Sequence, residues 1–76
     1  MTSPGRMQKE VERGQAPTGV DRVDSGNTNL GEKNHVHFDD GSALNSDGTW
    51  KHGESTLTND QKDWLRQHGW TIPAGQ

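Results

Sequence analysis

Residues 34–53 read NHVHFDDGSALNSDGTWKHG. This stretch decides the fold, because it carries three short β-type runs separated by two turn signals. His35–Phe38 is a four-residue alternation of imidazole and apolar side chains. Successive strand residues point to opposite faces, so Val36 and Phe38 lie on one side and His35 and His37 on the other. Asp39 would continue the imidazole side. Asp39-Asp40-Gly41 and Ser46-Asp47-Gly48 are turn sequences, since Asp bonds its own backbone and Gly takes a positive φ. Strands are therefore expected at His35–Phe38, Ser42–Asn45 and Thr49–Lys51, joined as a β-meander.

Outward from the meander, the flanks read as helices. Thr58 and Gln61 form a capping box, Asp60 sits in the first turn, and Trp64 and Leu65 supply an apolar side. Leu57 precedes the cap as a staple does, Gly69 suits a left-handed cap, and Pro73 forbids continuation. A helix is predicted over residues 58–68. A second is predicted over 3–13, capped by Ser3, with Pro4 at its first position and Gly14 after its end. Met7 and Val11 give it only a narrow apolar stripe, so it must dock to persist. Between these parts, Val20 and Val23 mark a short strand around Gly19–Asp24. Residues 25–34 are polar and rich in Gly and Asn, which reads as a mobile surface loop. The expectation is one α+β domain over residues 1–76, a small antiparallel sheet with one helix at each end of the chain.

Composition restricts what such a domain can be. Only 24% of its 76 residues are hydrophobic, with three Trp and one Phe, so the core is thin and the rings must fill it. Cysteine is absent, which excludes disulfides and thiolate metal sites. A net charge of −3 argues against a protein that coats nucleic acid, because that binding needs a positive field. No apolar run approaches a membrane span and no signal-peptide core is present, so a soluble chain is expected.

The histidines carry the chemistry. Two imidazoles on one face can serve as base and acid at a phosphodiester. Alternatively, His35 and His37 with Asp39 form a metal site holding a divalent ion. The bland reading is an exposed polar hairpin. Thr49, Lys51 and His52 follow the second turn. Lys51 is the best candidate to stabilise charge on a pentacoordinate phosphorus, and His52 is a second acid/base group if the sheet brings it near. Arg22, Lys33 and Lys51 with the histidines could form a local basic patch. Arg22 is expected to pair with Asp21 or Asp24, at little energetic gain. Trp50, Trp64 and Trp70 read as core, with only Trp50 positioned to stack on a base.

The runs RGQAPTGVDRVD, HVHFDDGSALNSDGTWKHG and LTNDQKDWLRQHGWTIP together resemble the C-terminal toxin segments of bacterial polymorphic toxins. These are the variable tips of contact-dependent inhibition proteins and of Rhs-repeat proteins, and the resemblance spans residues 4–73. It implies an interbacterial toxin delivered from a secreted or surface protein into a target cytoplasm. It also implies a small ribonuclease held in check by a cognate immunity protein. Joined to the residues, the expectation is a metal-independent endoribonuclease acting on tRNA or another structured RNA and leaving 2′,3′-cyclic phosphate ends. His35, His37, Lys51, His52 and Thr49 would form its catalytic set, and Arg22, Lys33 and Trp50 would bind RNA, without a cofactor. A metal-dependent nuclease and a non-catalytic interaction module are the alternatives.

Overall fold

A narrow apolar stripe, a serine and a proline suffice to start the first helix once it has a surface to dock on. Helix α1 spans Pro4–Glu12, and the Ser3 hydroxyl accepts from the Arg6 amide at 3.3 Å. Its one fully buried side chain, Met7, reaches the core. This computed structural model describes all residues 1–76. Strand β1 (Val20–Asp24) follows, then β2 (His35–Phe38), β3 (Ala43–Asn45) and β4 (Trp50–His52). They form one antiparallel sheet in the order β1-β2-β3-β4, the meander expected from the turn residues with the fourth strand added at its edge. At the second turn Gly48 has φ 89°, a conformation that favours glycine.

Helix α2 (Asn59–Gln67) begins at the predicted capping box. Thr58 Oγ1 accepts from the Gln61 amide at 3.1 Å, and Gln61 Oε1 accepts from the Thr58 amide at 2.9 Å. Gln61 is buried, and its amide also donates to the Thr18 carbonyl at 3.0 Å, so the cap ties α2 to the chain entering β1. The core gathers Met7, Val23, Val36, Phe38, Leu44, Leu57, Trp64, Leu65 and Trp70 on one side of the sheet. With so few aliphatics, two of the three tryptophans are buried here, and the third, Trp50, packs at the margin. No helix is long and apolar enough to cross a membrane.

Two features depart from the expectations. The last strand is Trp50–His52, one residue later than predicted, because Leu44 pairs with Trp50 while Ala43 pairs with His52. Lys51 is thus the extra residue of a bulge. The polar segment 25–34 is tied down over the sheet and contains a short 3-10 turn, Thr28–Leu30. Asn34 Oδ1 accepts from the Gly26 amide at 3.0 Å, Lys33 pairs with Asp47 at 2.8 Å, and Glu32 meets Lys51 at 3.4 Å. Gly26 runs so close to the Glu32 and Lys33 backbone that no Cβ fits.

Candidate functional site

Cross-strand pairing assembles the polar face of the sheet in two rows. Asp24, His35 and Asn45 pair across β1, β2 and β3. Arg22, His37, Ala43 and His52 pair across all four strands. The first row meets the 25–34 segment where the Lys33 carbonyl reaches His35, and the second faces solvent through exposed Arg22 and His52 and half-buried His37.

His35 is not the exposed imidazole that the alternation suggested. It is 6% exposed. Its Nδ1 lies 2.9 Å from the Lys33 carbonyl, which only an N–H can satisfy, so Nδ1 donates and Nε2 turns inward. That Nε2 sits 3.7 Å from Asp24 Oδ2. His37 Nε2 is 3.1 Å from the same oxygen, and the two rings meet edge-on with centroids 5.0 Å apart. Arg22 Nε is the third group on that oxygen, at 3.1 Å, and its Nη2 lies 3.4 Å from His37 Nε2. One nitrogen cannot both accept from Arg22 and donate to Asp24, and the shorter 3.1 Å contact favours an Nε2–H donated to Asp24, the tautomer that leaves a lone pair on His37 Nδ1. Burial first, and then the Arg22 guanidinium, push the His37 pKa below the ordinary imidazole value.

The carboxylate beside the histidines is therefore Asp24, not Asp39. The strand ends at Phe38, and the Asp39 amide is drawn to the Gly19 carbonyl at 2.9 Å, so period-two reasoning does not extend past it. Asp39 is exposed in the turn. The ligand atoms of Asp24, His35 and His37 lie within 4.8 Å of one another, close enough to hold a metal ion together.

The remaining predicted residues divide. His52 shares the His37 row with Ala43 between them, a backbone separation of roughly 10 Å for two strand spacings. Lys51 is half-buried and pairs with Glu32. Thr49 closes a turn, its hydroxyl donating to Asp47 Oδ1 at 2.6 Å and accepting from Asn45 Nδ2 at 3.1 Å. Bonds from Lys33 and then Thr49 hold the Asp47 carboxyl far below the usual carboxylate range. Lys33 is thus engaged with Asp47. Trp50 pairs opposite Leu44 and tilts against Phe38 at 6.4 Å, on the core side and away from the imidazole rows.

No known family matches. The chain likewise finds no match among curated proteins or solved structures. The likeness to toxin tips rests on the quoted residues alone. Sequence reasoning also missed a second imidazole cluster. His68 closes α2 with Nδ1 2.7 Å from Thr2 Oγ1 and Nε2 3.0 Å from Glu10 Oε2. Trp64 Nε1 donates to Glu10 Oε1 at 3.2 Å.

Proposed function

We propose that the chain is a metal-independent endoribonuclease whose chemistry runs along the Arg22–His37–His52 row. The observation that carries this reading is that row itself: a cation, an oriented imidazole and a second imidazole on the solvent-facing side of one sheet. His37 is the base. Asp24 holds its Nε2–H, and the free Nδ1 takes the proton of the ribose 2′-hydroxyl. A neutral imidazole is what this step needs, and the downward pKa shift keeps His37 neutral near pH 7. The 2′-oxygen attacks the adjacent phosphorus, and the bond to the 5′-oxygen breaks. His52, across the small Ala43, protonates that leaving oxygen. Arg22 and Lys51 face the charge that builds on the phosphorane oxygens. His35 acts as a positioning residue, its buried ring packed edge-on against His37. The products are a 2′,3′-cyclic phosphate and a 5′-hydroxyl. A structured RNA such as tRNA suits an acidic protein with local cations, because shape rather than broad charge then selects the substrate. A toxin role with an immunity partner covering the imidazole face belongs to the same proposal.

One observation favours a second reading, a metal-dependent nuclease. Asp24, His35 and His37 converge, and the bond from His35 Nδ1 to a carbonyl is the arrangement that orients a ligand imidazole. Against it, the Arg22 guanidinium already contacts Asp24 Oδ2 and His37 Nε2, two of the three atoms a dication would use. Purified chain incubated with total bacterial RNA in excess chelator, with new ends mapped, separates the two. The proposal expects discrete cuts with cyclic phosphate ends. Cuts that appear only after zinc or magnesium is restored favour the metal reading. Intact RNA under both conditions would leave the interaction module.

A further inference from the structure

Three cations without a partner share one ridge of α1. Arg6 and Lys9 in α1 and Arg13 at its C-cap recur at i, i+3 and i+7, and all three are exposed and line one recess. The ion pairs of Lys and Arg side chains use Arg22, Lys33, Lys51 and Arg66 instead. Arg22 and Lys33, the cations expected from sequence to bind RNA, each meet a carboxylate, and those of α1 do not.

The ridge also lines the largest recess of the molecule, about 690 Å³, together with Ser3, Glu10 and Gln15 and with no apolar side chain. Its one carboxylate, Glu10, is engaged by His68 and by Trp64 Nε1. Ser3 and Arg6 also border a neighbouring recess, whose other cation, Arg66, is paired with Asp63. The larger recess is the α1 groove. From Arg6 to Arg13 the helix rises roughly 10 Å, the scale of a stretch of phosphodiester backbone rather than a single phosphate. The lack of any ring or aliphatic side chain in the larger recess argues against base stacking, which needs an aromatic platform. The net charge of −3 is that of the whole chain, so the rest of the surface is more acidic still and a polyanion is steered to this local cluster of cations.

We propose that the α1 groove binds the RNA backbone through phosphates, without reading sequence, as a substrate-holding surface separate from the sheet row. It rests on the ribonuclease reading in taking RNA as the polyanion. The test is fluorescence anisotropy of a labelled single-stranded RNA 20-mer against salt concentration. Three phosphate contacts predict a log–log slope near −2, since each contributes about −0.7 on single strands. Each of Arg6→Gln, Lys9→Gln and Arg13→Gln should flatten the slope by about 0.7, and the triple variant should weaken binding at low salt by about tenfold or more. The three side chains form no internal bonds, so melting should not change. Cleavage of a dinucleotide too short to reach the groove should match wild type. Binding and slope equal to wild type in the triple variant overturn the groove. Oligomer binding with the expected slope, but no cleavage of any RNA by the wild type, supports the groove and overturns the nuclease reading.

Discussion

The molecule contains two imidazole–carboxylate clusters, and they differ in completeness. At the helix ends, both His68 nitrogens are spoken for, by Thr2 and by Glu10, and Trp64 stacks edge-on at 5.3 Å. Nothing is left to react. On the sheet, three groups from Arg22, His35 and His37 crowd one oxygen of Asp24, and His37 keeps a free nitrogen toward a solvent-facing row. A histidine with every partner in place fastens a structure. A histidine with a carboxylate behind it and an open nitrogen ahead is equipped for proton transfer.

The first way to break this contrast is to remove the helix cluster. Trp64→Ala takes out a 6% exposed ring and the donor to Glu10, and should cost about 3–5 kcal/mol, enough to unfold a chain this small. A folded Trp64→Ala protein by circular dichroism, with an unmoved melting temperature, would show that the core lies elsewhere. His68→Ala is the finer cut. It leaves Thr2 and Glu10 without their shared partner and should cost about 1–3 kcal/mol in chemical denaturation. Thr58→Ala removes the acceptor for the Gln61 amide at the start of the helix carrying both Trp64 and His68, and should cost about 1 kcal/mol. An unchanged urea midpoint would deny the cap that role.

The smallest effect belongs to the sheet. Because folding lowers the His37 pKa, the unfolded chain binds the proton first. Stability from this group is present above the unfolded value of about 6.5 and is lost as pH falls from there through the lower folded value. Melting temperature should decline gently from pH 7 toward pH 5, and His37→Ala should flatten that decline. An equally steep decline in the variant would assign it to another group. Asp47 acts later. Its depressed carboxyl contributes above the usual carboxylate range and loses that contribution progressively as pH falls from there through the lower folded value.

The elements whose instructions are local were readable from the chain. The caps at Ser3 and Thr58 and the turn sequences before Ser42 and Thr49 act within a few residues, and the helices and the meander follow from them. The site was legible only in part. The shared face of His35 and His37 is a property of one strand, but Asp24 reaches them by pairing across β1 and β2, eleven residues from His35 along the chain. Extending the alternation to Asp39 failed because the strand stops where the turn begins. The bulge at Lys51 has no local signature, and the burial of His35 depends on how the 25–34 segment closes over it. Thr2 and His68 lie 66 positions apart, so their bond could not be read from either neighbourhood. The spacing of Arg6, Lys9 and Arg13 is plain in sequence, whereas their lack of partners requires every carboxylate to be placed.

The contrast between the clusters is tested most directly by the cleavage rate of RNA in chelator, measured side by side for His37→Ala and His68→Ala at a temperature where both variants are folded. The account predicts a loss of about 10²–10⁴-fold for His37→Ala, the usual worth of a positioned general base, and a wild-type rate for His68→Ala. Equal rates for His37→Ala and wild type, or a collapse confined to His68→Ala, would contradict it.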